Sequence, residues 1–337
     1  MHPDTMRLID RWVGIPLCFF ASFWPLKKAQ ADSNSTLATN IPPPDTIVFI
    51  GIAEIGALVV AYPAIKETRK QHPKSRICFI TAPAGLQTLE LMGFEKEDIF
   101  LLETSSIKSL LKGIVNIRSH FKGGRVSAIV LEPFTRFSTL LSAWIGASKR
   151  IGCYRFLNEG VYLGNILTHR LVYNPHLHIS QTYFALAKAL IEPDSAKPLL
   201  KEYIPSQIKN RLKINIPEKE RQTLMKRLQS ECPENPLKKI ILLNANASDI
   251  VPLRKWPLEN YVELGKQLLE NSEFTVVLTG SPEEKDVCVD LALQINPDRT
   301  VNFAGKTSFK ELITLYSISD LLITNDSGPV HFASTTE

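Results

Sequence analysis

"TIVFIGIAEIGALVVAYPAIKETRKQHPKSRICFIT", residues 46–81, decides the fold. Its opening "TIVFIG" is an uncharged β-branched and aromatic run, the composition of a strand buried on both faces. From Gly56 to His72 the apolar residues space themselves as on a helix and the charges gather toward the end. "SRICFIT" (75–81) then returns to strand composition. Strand, helix and strand in one short stretch predict a crossover unit of parallel sheet.

The same grammar runs outward in "GLQTLELMG" (85–93), "DIFLL" (98–102), "SIKSLLKGIVNIRSHF" (106–121), "VSAIVL" (126–131) and "RFSTLLSAWIG" (136–146). Residues 192–219 are polar and proline-bearing, after which the alternation resumes with "KKIILLN" (238–244) and runs to "DLLITN" (320–325). The chain is therefore predicted to be α/β, with two doubly wound domains facing a cleft. Residues 1–45 are read as an apolar segment and linker, 46–191 as the first domain, 192–219 as a linker and 220–337 as the second domain.

Composition agrees: 337 residues with 44% hydrophobic and 22% charged content can build two cores. The net charge of +5 comes from 39 basic residues spread among 34 acidic ones. Without a basic stripe interleaved with aromatics, nucleic acid is not an expected partner. Five cysteines with no C-x-x-C spacing suggest neither a disulfide framework nor a zinc site, and fit a reducing cytoplasm.

Residues 12–26 carry no charge and are followed by Lys27 and Lys28. The run is shorter than the ~20 residues of a membrane span, so it is expected to lie in an interface, with Trp12 and Trp24 as anchors. "AQA" before Asp32 also resembles a signal-peptidase site. Packing against the protein's own surface is the alternative. "SNSTLATNIPPP" (33–44) reads as a polar linker.

Ligands of such sheets bind beyond the carboxyl ends of the strands. Those positions hold "GIAEIG" and "EPFTR" in the first half, and "NANASDIVPLRKWP", "TGSPEE", "AGKTS" and "NDSGPVH" in the second. None is a G-x-G-x-x-G or G-x-x-x-x-G-K-[ST] loop, which disfavours a nicotinamide enzyme or P-loop nucleotidase. "NDSGPVH" places small residues before a helix start suited to a diphosphate, with Ser327 and Gly328 allowing close approach and His331 adding a donor. Asp326 or Ser327 as a plain helix cap is the alternative. Arg254 and Lys255 supply cations that would neutralise a leaving diphosphate, or else form a solvated pair beside Trp256. Glu283 or Glu284 would accept from ribose hydroxyls, or complement a helix dipole. His176 and His178 lack a third ligand, and no metal site is predicted.

Together "RKWPLENYVELGKQLLE", "VVLTGSPEE", "NFAGKTSFKELITLYSISDLLITNDSGPVHFAS" and "EIGALVVAYPAIKETRKQHPKSRICFIT" resemble the family 9 glycosyltransferases, the lipopolysaccharide heptosyltransferase group. The resemblance implies a GT-B fold of two Rossmann-like domains, the second holding a nucleotide sugar, commonly ADP-heptose, and the first an acceptor. It implies inverting, metal-independent transfer with no cofactor besides the donor. Asp326, Ser327, Gly328 and His331 match the family's diphosphate and sugar turn, Arg254 a diphosphate-contacting cation, and Glu283 or Glu284 the ribose acid. Lys255 is grouped with Arg254 at the donor.

Where many members have Gly-Asp, with the Asp as proposed base, this chain has Gly56 and Ala57. Glu54 is the expected base in its place, with Glu132 next in line. Glu132 and Arg136 of "EPFTR" are expected at the acceptor. Family members continue beyond the equivalent of Glu337, so the chain is expected to be truncated. The expected partners are a nucleotide-sugar donor, a glycolipid or polysaccharide acceptor and the inner-membrane surface, in a cytoplasmic protein peripheral to that membrane. The alternatives are a sugar-nucleotide epimerase, which shares the architecture but needs no acceptor, and an inactive nucleotide-sugar-binding remnant.

Overall fold

The computed structural model describes residues 3–23, 43–52, 54–133, 135–156, 160–192, 211–232, 236–246 and 252–336. Trp24, Lys27, Lys28, the "AQA" tripeptide, most of the 33–44 linker and residues 193–210 of the second linker lie outside them. The chain divides into two compact units, residues 1–212 and 213–337.

Unit 1 begins with two short helices, α1 (Pro3–Trp12) and α2 (Gly14–Phe23). There follow β1 (Thr46–Ile50), α3 (Ile55–Gln71), β2 (Arg76–Thr81), α4 (Leu86–Leu91), β3 (Ile99–Leu101), α5 (Ile107–His120), β4 (Val126–Val130) and α6 (Arg136–Trp144). The unit closes with β5 (Lys149–Phe156), β6 (His169–Tyr173) and α7 (Ile179–Lys188). All strand pairs are parallel, in the order β3-β2-β1-β4-β5-β6. Residues 47–50 of β1 are wholly buried, as the uncharged run requires. Right-handed crossovers put α3 and α4 on one face of the sheet and α5 and α6 on the other. On the latter face Ile117 and Phe121 at the end of α5, and Leu141 and Ile145 at the end of α6, close over Val48, Ile80, Ala128 and Val130.

β5 and β6 carry charges where central strands normally do not. Arg150 is 1% exposed, and its guanidinium donates to the carbonyls of Ile166 (2.6 Å) and Ala147 (2.5 Å). Lys149 Nζ donates to Leu190 O (2.9 Å) and Glu192 O (2.8 Å). Main-chain oxygens thus stand in for the water that these buried cations lost.

The N-terminal segment packs on its own unit, the alternative weighed for it. Asp10 Oδ2 accepts from Arg136 Nη1 at 2.7 Å, and its Oδ1 accepts from the amide of Phe137 at 3.2 Å. Arg136 Nε also donates to Tyr162 O at 3.1 Å. Farther along, Ser22 Oγ accepts from Asn165 N at 2.9 Å. Gly164 holds this approach open with φ +57°, since a Cβ there would stand 2.0 Å from Ser22 Oγ and 2.6 Å from Cys18 O. Among the described residues no helix is long and apolar enough to cross a membrane.

Unit 2 comprises α8 (Glu218–Ser230), β7 (Lys239–Asn244), α9 (Leu258–Glu270), β8 (Phe274–Leu278), α10 (Lys285–Ile295), β9 (Thr300–Asn302), α11 (Phe309–Ile318), β10 (Leu321–Thr324) and α12 (Gly328–Ala333). Its sheet is parallel, in the order β10-β7-β8-β9. Val262 and Leu269 of α9 and Leu291 and Ile295 of α10 cover Ile241, Leu243, Val276 and Leu278.

Candidate active site

In both sheets the strand order reverses beside the first strand of the unit: between β1 and β4 in unit 1, and between β7 and β10 in unit 2. The loops after those strands diverge there and leave a crevice, the position at which doubly wound sheets take ligands. Most residues singled out in the sequence fall at these two places; Glu283 and Glu284 follow β8, one strand away from the β7–β10 switch point.

In unit 2 the β10 loop carries Asn325, Asp326 and Ser327, and the β7 loop ends in Arg254, Lys255 and Trp256. Asn325, 6% exposed, ties the two together. Its Nδ2 donates to Ala245 O at 2.8 Å and its Oδ1 accepts from Trp256 N at 3.0 Å. Thus braced, Arg254 faces the turn, with Nε 3.3 Å from Asp326 Oδ2. Both side chains are largely in solvent, so this pair contributes little to stability. Ser327 is the N-cap residue of α12 but makes no capping bond; its hydroxyl donates instead to Asn325 O at 3.2 Å. The plain-cap alternative for Ser327 therefore finds no support in the geometry. His331 is half-buried one turn into the helix, and Lys255 is exposed.

The β8 loop separates the two candidate acids. Glu284 Oε2 accepts from Ser281 N at 2.7 Å, capping the turn that leads into α10. Glu283 is fully exposed, and its carboxyl is held below the ordinary range by its own amide and then by the Ser281 hydroxyl. Asn244, which the sequence reading passed over, bridges β7 to β8 through Thr279 O (3.1 Å) and Oγ1 (3.2 Å).

Unit 1 repeats the device with a carboxylate. Glu132, after β4, accepts from Ile52 N at 2.7 Å with Oε1 and from the Ser138 hydroxyl with Oε2. It thereby anchors the β1 loop on which Glu54 stands. Glu54 is exposed at the N-cap of α3 and makes no capping bond. Ala57, in the first turn of α3, offers no side chain for acid–base chemistry. Tyr183 of α7, 3% exposed, lies near both acids: burial first, then the Glu54 carboxylate and more weakly that of Glu132, push its phenol well up. Arg136, expected at the acceptor, is buried and bonded to Asp10 and Tyr162 O, so its charge is already engaged within the fold.

All five cysteines are buried and unbridged. Burial pushes the Cys18 thiol up to about 11 and those of Cys78 and Cys153 up to about 12, which keeps them protonated near neutrality. His178 caps α7, accepting from Ser180 N at 3.3 Å. Among the described residues no cluster of three or more His, Cys, Asp or Glu side chains is placed to hold a metal ion.

Two parallel doubly wound units define a protein of the GT-B fold class. The chain belongs to glycosyltransferase family 9 (heptosyltransferase), whose sequence pattern matches residues 129–337. It is 32% identical over 89 residues to lipopolysaccharide heptosyltransferase 2 of Salmonella typhimurium, covering 26% of this chain and 25% of that protein. That alignment therefore spans about a quarter of the relative's length. A longer alignment, 24% identical over 299 residues, joins 86% of this chain to 79% of lipooligosaccharide heptosyltransferase 2 of Haemophilus ducreyi. The solved structure of E. coli ADP-heptose lps heptosyltransferase II superposes with a TM-score of 0.61 at 20% identity, over 86% of this chain and 82% of that one, a likeness of fold. Membership in this family does not favour the epimerase alternative.

Proposed function

We propose that this protein transfers a heptose from a nucleotide diphosphate donor of the ADP-heptose kind to a lipopolysaccharide-type acceptor, with inversion, at the cytoplasmic face of the inner membrane. The observation that carries this reading is the braced crevice of unit 2, where Asn325 presents Arg254 to the Asp326-Ser327-Gly328 turn. A cation opposite a turn of small residues suits a diphosphate flanked by a sugar. Arg254 and Lys255 would offset the diphosphate charge, Ser327 and Gly328 admit it closely, and His331 add a donor. Asp326 would accept from hydroxyls of the sugar. Of the two acids in the β8 loop, Glu283 is proposed for the ribose, because it is fully exposed whereas Glu284 is half-buried and caps the turn into α10.

In the reaction the acceptor hydroxyl attacks the anomeric carbon from the side opposite the diphosphate. The bond from carbon to acceptor oxygen forms as the bond to phosphate oxygen breaks, and the electron pair leaves with the diphosphate. The hydroxyl proton passes to a base, for which Glu54 is proposed: its carboxylate is exposed, whereas the Glu132 oxygens are engaged, Oε1 by the Ile52 amide of the β1 loop and Oε2 by the Ser138 hydroxyl of α6. Glu132 is thus a positioning residue. Arg136 is withdrawn from the acceptor role. Donor and acceptor are the only small partners this chemistry requires.

Calorimetry with ADP tests the donor site. Arg254→Ala is expected to weaken binding by about 1.5–3 kcal/mol, the size of a charge-assisted hydrogen bond. Unchanged affinity would remove Arg254 from the site.

A further inference from the structure

The helix layer made by α5, α6 and α2 differs from the rest of unit 1 in two respects. It contains no Asp or Glu: "IKSLLKGIVNIRSH", "RFSTLLSAW" and "GIPLCFFASF" are free of carboxylates. It also leaves large apolar side chains in solvent. Ile107, Leu111 and Val115 form one stripe along α5 at four-residue spacing, with Val115 62% exposed. Phe20 and Phe23 of α2 are 67% and 73% exposed, and Trp12 at the end of α1 is 71% exposed.

These helices lie side by side. Arg118 of α5 stacks over the Trp144 ring of α6 at 4.6 Å, and α2 meets the other end of α6, where Gly14 packs on Arg136. Lys108 and Lys112 flank the α5 stripe, and Arg11 stands beside Trp12. The acid of α1 nearest this face, Asp10, is neutralised by Arg136, and Glu103 precedes α5 in the chain. The opposite layer mixes its signs: α3 carries Glu67 among Lys66, Arg69 and Lys70.

An apolar, aromatic-rich face with cations and no carboxylates is complementary to an interface of anionic headgroups over acyl chains. α2 is only 10 residues long, so it lies along such a surface and does not cross it. We propose that the α5–α6–α2 face of unit 1 docks this protein on an anionic lipid bilayer. The inference deepens the proposed use of a lipid-linked acceptor and rests on that reading for its purpose, but not for its evidence.

Flotation of the whole chain with phosphatidylcholine vesicles, with and without phosphatidylglycerol, provides the test. The protein is expected to float with the anionic vesicles alone. Lys108→Glu with Lys112→Glu, and separately Phe20→Ser with Phe23→Ser, should each weaken vesicle affinity about 10-fold or more. Lys66→Glu with Lys70→Glu, on the opposite layer, should leave it within about twofold. All substituted residues are exposed, so circular dichroism should remain that of the parent. Face variants that float like the parent, or α3 variants that lose as much, overturn the docking proposal. So does sedimentation in which the Phe20/Phe23 variant turns a dimer into a monomer at unchanged vesicle affinity, because a second copy then covers the face. ADP calorimetry on the same proteins keeps the two readings apart. ADP binding without flotation sinks the docking face alone, and flotation without ADP binding sinks the transferase reading alone.

Discussion

Removing the Asn325 side chain should loosen the crevice of unit 2 more than any change at the exposed Arg254–Asp326 pair. Asn325→Ala deletes two bonds at once, to Ala245 O (2.8 Å) and from Trp256 N (3.0 Å), at a position 6% exposed. A buried main-chain group left without a partner costs about 1–3 kcal/mol. The Ala245 carbonyl, in a residue 4% exposed, should cost near the top of that range; Trp256, 42% exposed, leaves its amide a partial route to water. The sum is about 2–4 kcal/mol. Two compact units lead us to expect two unfolding transitions, and the loss should fall on that of unit 2. Urea unfolding followed by Trp fluorescence measures it as a lowered midpoint at unchanged slope. Asn325→Asp retains the acceptor for Trp256 N but turns a carboxylate toward the Ala245 carbonyl, so it should do no better than alanine. ADP affinity should fall in both variants, because Arg254 stands at the end of the freed loop. A loss below about 0.5 kcal/mol with ADP affinity intact would refute the bracing role.

Two further outcomes concern unit 1. Asp10→Ala strands the Arg136 guanidinium, whose side chain is 10% exposed, and should destabilise unit 1 by about 2–4 kcal/mol in the same urea experiment; a shift under about 0.5 kcal/mol would mean that α1 is not anchored there. His72, at the end of α3, is buried with no partner for Nε2, and burial first and Lys149 second lower its pKa. The unfolded chain therefore takes up the proton first as pH falls. The stabilising contribution is complete above about pH 6.5 and declines from there down through the lowered folded value. Unit 1 should lose stability as pH falls below about 6.5, and His72→Leu should flatten that slope. An identical slope in the variant would assign the titration elsewhere.

The strands of both sheets were legible where their buried residues are mostly apolar, as in "TIVFIG" and "KKIILLN", the usual composition of strands covered on both faces. β5 and β6 were not, since Lys149, Arg150 and His169 read as surface charges. What makes them core residues is a set of carbonyls, the neighbouring Ala147 and, from other segments, Ile166, Leu190 and Glu192, which no strand pattern announces. Arg136 was misplaced for the same reason: its partner Asp10 lies 126 residues away in the chain. The loops after β7, β8 and β10 were recognisable from composition and order. Their bracing was not, because Asn325 looks like any turn asparagine until its two partners are in place. Nor does the sequence tell Glu283 from Glu284, since which of them meets the Ser281 amide depends on the turn geometry.

Acceptor mass is the most direct test of heptose transfer. The protein is incubated with ADP-heptose and a lipopolysaccharide-core acceptor lacking heptose, and the acceptor is weighed by mass spectrometry. The acceptor should gain the mass of a heptose residue while ADP is released in equal amount. Glu54→Gln should slow that gain about 100-fold or more with ADP affinity nearly unchanged. An acceptor of unaltered mass, with the donor sugar isomerised or ADP released whether or not acceptor is present, would contradict the account.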